Sequence, residues 1–501
     1  MLLPLLAVLS QMHYEGDVPV SGGDYVEVEF EVPAGTVEIE IAHSDGSDYD
    51  ILDWGAWSPE GFRGWGGGLE DNAIIGVAQS SRGYLAGAIT PGVWRVVIGK
   101  AKLDDMGHYS IDVECRDNAT LAVRPTRAHE PVVLKQGRHW YRGDFHVHSE
   151  QSGDATATFE QILAIAKQQR LDFVNLSDHN TNAQVPLLAA FQRTTTDVLF
   201  LRGAEITTYA GHGNSVGVGA YIDHRVGVGG RTINDVLDDV AARSGIFVVN
   251  HPGLALGDNC IGCAWQHPDT DWSKVTAIEI MTGKWDVTEP IFTPIALRLW
   301  DEQIEATKQL IAPVGGSDDH RAGVGTGPQD TPVGSPTTLV LADELSEEAI
   351  VRAVKEGRTI VNLRGPDDPE IELKIGDYEI GDMFLTHDIR IHVRVRGGDG
   401  MFAQIWRDGA KLVQLDVTGD DFTTEYVDDS VTDGQHRYRL ELVEGANRRV
   451  VVTGHIAPTY FTPDEGCCNA SARGSLVPVL LAVFGLTCTR RRRSRDAARA
   501  A

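Results

Sequence analysis

The segment Gly143-Asp144-Phe145-His146-Val147-His148-Ser149 sets two imidazoles two residues apart, alternating with Phe145 and Val147. A period of two belongs to a β-strand, so both imidazoles leave the same face. Two neutral imidazoles at the end of a strand suit a borderline divalent cation. A half-buried strand carrying two surface histidines would read the same way, so the weight falls on the rest of the chain. Asp154 follows His148 by six residues. Further apolar runs end in Ser177-Asp178-His179, in Gly203-Ala204-Glu205 with His212 soon after, in Asn250-His251-Pro252-Gly253, and in Gly316-Ser317-Asp318-Asp319-His320.

Such residues need a scaffold that brings distant strand ends together, and in parallel α/β folds working residues sit at the carboxyl ends of strands. From about 141 to 365 the pattern supplies that alternation. Helices are expected over 159–168, 233–244 and 295–310. Strands are expected over 171–176, 200–206, 214–220, 246–250, 275–281 and 310–314. This predicts a parallel barrel or sheet. On its N-terminal side, residues 14–122 alternate apolar and acidic residues, as in Tyr25-Val26-Glu27-Val28-Glu29-Phe30-Glu31, the pattern of an antiparallel β-sandwich. Trp54, Trp57 and Trp65 could line a sugar-binding face, but core packing is the reading preferred for them. Residues 123–140 contain prolines and read as a linker, and 366–458 read as a second small β domain. His224 and His267 fall in loops. His387, His392, His436 and His455 have no partner at ligand spacing.

The motifs Gly143-Asp-Phe-His-Val-His-Ser, Leu176-Ser-Asp-His-Asn, Gly203-Ala-Glu-Ile, Asn250-His-Pro-Gly and Gly316-Ser-Asp-Asp-His together resemble the PHP (polymerase and histidinol phosphatase) metallohydrolase superfamily. Within it they look like the CehA/McbA-like branch. The resemblance covers residues 141–365 and implies a distorted (β/α)7 barrel flanked by β-sandwich-like domains. It implies two or three divalent ions, Zn, Mn or Fe. His146, His148, Glu205 and Asp318 would hold one ion. Glu205 would bridge to a second completed by His251, and Asp154, His179 and His320 would take a third. His212 sits where some members supply a histidine, and Asp178 and Asp319 would orient ligands. Many members read Ser-Asp-Gly after His-x-His; here the order is Ser152-Gly153-Asp154, so the resemblance supports two ions more firmly than three.

The implied chemistry is hydrolysis by a metal-activated water, with Glu205 and Asp318 catalytic and Asp318 shuttling the proton. Arg321 and Lys284 could neutralise a bound phosphate. Phosphoesters are the expected substrates. Carboxyl or carbamate esters or amides are the alternative, and a non-catalytic surface binding protein with a structural metal site is the rival of a different class.

Composition narrows the partners. The 72 acidic against 44 basic residues give a net charge of −28, which excludes the basic footprint a nucleic-acid partner requires. Both ends read as processing segments. Residues 1–12 form a signal-like apolar stretch. The tail 459–501 carries Gly466-Cys467-Cys468, a short apolar run over 476–488, then Arg490 to Arg493 and Arg495. A basic cluster after a short apolar run would stay on the cytoplasmic side, and the tail resembles Myxo-CTERM sorting signals. The expectation is an exported protein of the cell surface or outer envelope, associated with the membrane through that tail before processing. Cys260 and Cys263 then read as a local disulfide. No feature sets the oligomeric state.

Overall fold

The computed structural model describes residues 8–47, 49–324 and 331–463. Eight strands form its first part: β1 (Val8–Val18), β2 (Tyr25–Val32), β3 (Glu38–Ser44), β4 (Ile51–Ser58), β5 (Gly61–Gly67), β6 (Ala73–Gly76), β7 (Gly92–Lys102) and β8 (Gly107–Arg116). They make two four-stranded sheets, ordered β1-β8-β3-β6 and β2-β7-β4-β5. Alternation decides which face is inside. In β2, Val28, Phe30 and Val32 are buried while Glu27, Glu29 and Glu31 face solvent. They share one core with Ile39, Ile41, Trp54, Trp94 and Val113 from both sheets, each large apolar side chain contributing roughly 1.5–3 kcal/mol by burial. Trp57 and Trp65 are buried as well, in keeping with core packing. Residues 8–12, the end of the signal-like stretch, open β1, where Ser10 pairs with Cys115 and Met12 with Val113. Met12 and Tyr14 pack on the core, and that burial holds the strand.

The middle region is mixed α/β, with few helices. Its elements are β9 (Val133–Val147), α1 (Phe159–Gln168), β10 (Phe173–Leu176), α2 (Gln184–Gln192), β11 (Leu199–Leu201), β12 (Gly203–Thr208), β13 (Gly211–Val216), α3 (Ile233–Ala242), β14 (Ile246–Val249), β15 (Ala277–Thr282), α4 (Trp285–Thr288), α5 (Thr293–Thr307), β16 (Ala312–Gly316), β17 (Thr337–Ser346), α6 (Glu347–Lys355) and β18 (Thr359–Asn362). Capping boxes at Thr158/Gln161 and Thr232/Asp235 start α1 and α3. Strands β9, β10 and β11 run parallel, as do β14, β15 and β16. The expected all-parallel order fails at β12–β13–β14, which pair antiparallel, because Tyr209 and Ala210 close a tight hairpin. Isolated parallel bridges Val147–Asp319 and His179–Glu205 join strand ends of the two sheets.

Three sequence expectations need correction here. The run 200–206 is two strands, broken at Arg202. Helix α2 was not expected, because Val185, Pro186, Leu187 and Leu188 are apolar without a helical period; Pro186 sits in the first turn, where it is tolerated. The linker is half strand. Polar, exposed residues from Val133 onward join β9 by pairing with β17, as at Leu341–Trp140 and Ser346–Val133.

The C-terminal strands are not a free-standing layer. Arg448–Thr453 pairs antiparallel with β18 through Ile360–Thr453 and Asn362–Val451. The sheet thus runs from β11 through β9 and β18 to Tyr438–Glu444, Phe402–Arg407 and Ala410–Asp416, nine strands in all. Across a core of Leu373, Ile391, Val393, Leu440 and Val451 it faces the sheet of Glu370–Ile375, Arg390–Arg396 and Asp421–Val427. Among the described residues no helix is long and apolar enough to cross a membrane; the apolar run 476–488 lies outside them.

Candidate metal centre

β9 delivers His146 and His148 into the interior, both fully buried. The approach is close: a Cβ at Gly316, the last residue of β16, would lie 2.2 Å from His146 Cβ and 2.6 Å from Glu279 Oε1. Only glycine fits there. Two residues further on, Asp318 adopts a left-handed backbone (φ +57°), as does His251 (φ +26°) two residues after β14. Such strain is uncommon outside glycine and collects at functional sites; here it follows the last residues of two parallel strands.

Glu205, on β12, is the hub. Its Oε2 lies 3.2 Å from His146 Nε2, 3.4 Å from His148 Nε2 and 3.1 Å from His179 Nδ1. Its Oε1 lies 3.4 Å from both His212 Nδ1 and His251 Nε2 and accepts from Asn250 Nδ2 at 2.9 Å. Asp318 Oδ1 stands 3.2 Å from His146 Nε2 and 3.1 Å from His148 Nε2. Asp154 Oδ2 reaches His179 Nε2 at 3.3 Å and His320 Nε2 at 3.2 Å. The shifted Ser152-Gly153-Asp154 order therefore still delivers a carboxylate to these two rings.

The histidines are oriented from behind. His146 Nδ1 is 3.2 Å from Glu279 Oε1, His212 Nε2 is 3.0 Å from the Ile261 carbonyl, His251 Nδ1 is 3.1 Å from the Cys263 carbonyl, and His320 Nδ1 is 2.8 Å from the Asp318 carbonyl. With a cation held inside, the ring nitrogen facing each outer acceptor would carry the proton and the other would offer its lone pair inward. The inward atoms His146 Nε2 and Glu205 Oε2 are buried and have no hydrogen-bond partner. A buried ring nitrogen facing a buried carboxylate is costly unless a proton or a cation lies between them. The donor set fits divalent metal: His146, His148, Glu205 and Asp318 present ligand atoms within 4.8 Å of one another, as do His148, His179 and His320.

The charges agree. Burial pushes the Glu205 carboxyl up, and the facing His146 and His179 more than reverse it, holding it well below the usual range. Asp318 behaves alike, with His146 the main counter-charge. Burial drives the His148 imidazole down, and His320 and His179 add to that, so it stays neutral, the form that ligates. Burial lowers His179 and His320, but Asp154 outweighs it and raises them to about 9 and about 10.

All nine expected ligands, His146, His148, Asp154, His179, Glu205, His212, His251, Asp318 and His320, thus lie around one centre. Arg321 and Lys284 do not join them. Both are exposed, and neither lines the cleft of about 720 Å³ that opens onto Asp154, His179, Glu205, His212, His251, Asp318 and His320. Asp178 and Asp319 hold backbone rather than rings: Asp178 binds Ser149 through its N–H (2.6 Å) and hydroxyl (2.7 Å), and Asp319 accepts from the N–H groups of Arg321 and Gly323. Sequence reasoning missed Glu279, whose signal was a lone carboxylate inside the apolar run Ala277-Ile278-Glu279-Ile280-Met281. It also missed Asp144, which accepts from the N–H groups of His146, Ser317 and Gly334 and so ties β9 to the Asp318 loop. The Cys260–Cys263 pair, which the structure joins as a disulfide, closes the loop whose carbonyls orient His212 and His251.

No protein-family model matches the chain, and no curated protein does. Among solved structures, the chain is similar to a two-domain protein of Bacteroides vulgatus containing a domain provisionally assigned as a PHP-like metal-dependent phosphoesterase. That likeness has 15% identity, a TM-score of 0.36, and covers 68% of this chain and 100% of the other. It is also similar to a protein of Bifidobacterium adolescentis provisionally assigned as a metal-dependent phosphoesterase, with 14% identity, a TM-score of 0.27, and coverage of 38% and 91%.

Proposed function

We propose that this chain is a metal-dependent hydrolase of phosphoesters, in the CehA/McbA-like branch of the PHP superfamily. The carrying observation is the buried gathering of His146, His148, Glu205 and Asp318, with His146 Nε2 and Glu205 Oε2 facing each other and lacking a hydrogen-bond partner, at the base of an open cleft. The bridges Val147–Asp319 and His179–Glu205 support reading the two sheets as a distorted (β/α)7 barrel closed at the ligand ends. His146, His148, Glu205 and Asp318 would hold one divalent ion, Glu205, His212 and His251 a second, and Asp154, His179 and His320 a third.

Such ions supply Lewis acidity and a lowered pKa for bound water. The chain's own residues do the rest. Glu205 keeps the two histidine groups at a fixed separation through its two oxygens. Asp318 lines the cleft and remains ionised, so it can take a proton from the attacking water and deliver it to the leaving oxygen. Burial of His146 and His148 excludes bulk water behind the reacting atoms. One observation favours a second reading: among the described residues no Lys or Arg lines the cleft, so an uncharged carbamate or carboxyl ester would meet no missing counter-charge.

The test is metal analysis of the purified protein, then loading with Mn, Zn or Fe and assay on p-nitrophenyl phosphate, bis-p-nitrophenyl phosphate and naphthyl carbamates. Turnover of the phosphoesters, lost in His146→Ala, is expected. Stoichiometric metal with no turnover of any of the three overturns the reading in favour of a structural metal site. Export to the cell surface or outer envelope is part of the proposal and is supported by the Cys260–Cys263 disulfide, which suits an oxidising compartment; the tail after residue 463 lies outside the described residues.

A further inference from the structure

The cleft above the metal ligands is a joint product of two parts of the chain. One side is the ligand cluster; the other is the sandwich, which contributes Ile51, Asp53, Trp65 and the turn Gly66-Gly67-Gly68. The two are locked together. A Cβ at Gly153 would lie 2.1 Å from the Gly66 carbonyl oxygen, so the loop carrying Asp154 rests directly on the sandwich turn. Arg82 Nη1 donates to the Ala155 carbonyl at 3.2 Å and Thr181 Oγ1 to the Gly83 carbonyl at 2.8 Å. Tyr209, from the β12–β13 hairpin, stacks on Tyr25 at 5.9 Å and donates its hydroxyl to Asp53 Oδ2 at 2.8 Å.

This wall has a defined chemistry. Asp71 is paired with Arg82 and Asp258 with Lys102, and Glu70 is exposed to solvent, which leaves Asp53, half-buried and fixed by Tyr209, as the wall's ordered acceptor. Tyr209 occupies only Oδ2. Oδ1 faces the glycine turn, 3.8 Å from where a Cβ of Gly67 or Gly68 would stand, and the absence of those side chains keeps it accessible. With no Lys or Arg lining the cleft among the described residues, a polyanionic distal group would meet carboxylates without compensation. A group rich in hydroxyls would instead donate to them.

Resting on the hydrolase reading above, we infer that the sandwich selects the alcohol portion of the substrate, and that this portion is an uncharged polyhydroxylated group, a sugar or polyol, whose hydroxyls donate to Asp53. Asp53 is then a specificity residue and Tyr209 its positioning partner. The sandwich is part of the active site rather than an appended module.

The experiment uses the full, Mn-loaded chain. Sorbitol 6-phosphate, ATP and p-nitrophenyl phosphate are compared as substrates, and sorbitol 6-phosphate and inorganic phosphate as ligands by calorimetry. Sorbitol 6-phosphate is expected to exceed ATP in kcat/KM. Asp53→Asn should lower the ratio of sorbitol 6-phosphate to p-nitrophenyl phosphate kcat/KM about tenfold or more, the scale of a hydrogen bond to a charged group, with the change in KM. Tyr209→Phe should move the ratio the same way by less. An unchanged ratio, or a preference for ATP, overturns the inference while leaving the hydrolase intact. If no substrate turns over, the hydrolase reading fails, and binding decides the wall's role: sorbitol 6-phosphate binding no tighter than phosphate, or equally tight in Asp53→Asn, overturns it too.

Discussion

Glu279 is the sharpest place to test the site, because one buried carboxylate serves two of the proposed ligand residues. Its Oε1 stands 3.2 Å from His146 Nδ1 and its Oε2 accepts the His251 N–H at 2.7 Å. Glu279→Gln keeps the volume but offers only one acceptor oxygen. If that oxygen stays with the His251 N–H, the amide NH2 faces His146 Nδ1. The ring must then accept there and protonate Nε2, the atom aimed at Glu205 and Asp318. A protonated Nε2 cannot ligate. Losing a group that orients a metal-binding histidine typically costs 10–100-fold in affinity, about 1.4–2.7 kcal/mol. Competition against a chromophoric chelator should show Mn or Zn binding weakened by that range, with the metal-free melting temperature shifted far less than the metal-loaded one. An affinity within twofold of the parent would refute the claim that Glu279 sets the tautomer.

Gly153→Ala forces a methyl against the Gly66 carbonyl; overpacking of this kind costs about 1–3 kcal/mol, and hydrolysis should fall at least as much as stability because Asp154 moves with the loop. Cys260→Ser, or reduction of the parent, frees the loop that supplies the Ile261 and Cys263 carbonyls, so metal retention in a chelator challenge should drop while the far-ultraviolet circular dichroism stays unchanged. Acid should destabilise the fold through His224, which burial among Tyr25, Trp65 and Tyr221 lowers to about 3. Its folded pKa lies below the unfolded value, so its stabilising effect is whole above pH 6.5 and is lost as pH falls toward 3, on the order of 4 kcal/mol. Thermal melts of the metal-free protein from pH 7.5 to 4 should show this slope, and His224→Gln should flatten it.

The clustering of the candidate ligands was legible because most are polar residues at or near the end of an apolar run, and backbone pairing carries such ends to a shared rim. Helix α1 was legible in full, since its capping box and its period agree. What pattern could not show was which neighbours a strand would find. Tyr209 and Ala210 turn an expected parallel segment into a hairpin, and the alternation of Arg448–Thr453 reads identically whether it pairs within its own domain or with β18. Arg321 and Lys284 carry a phosphate-binding charge yet are exposed outside the cleft, because nothing in a sequence marks which way a loop cation points. Glu279 lies in a strand interior and not at a strand end, where a buried carboxylate is explained only by the partner it finds. Asp53 lay beyond reach for another reason: its role depends on two layers meeting face to face, a contact encoded in the glycines at 66 and 153 rather than in any motif.

The nine-stranded sheet has a practical corollary. Ending the protein near residue 365, after the part that carries the candidate metal centre, would strip β18 of its neighbour and expose Ile360 and Val361 along a naked hydrogen-bonding edge, which recruits other chains into aggregates. A trimmed protein that stays in solution must therefore extend through Tyr460, and the last hundred residues of the folded body act as the seal on the sheet that carries His146.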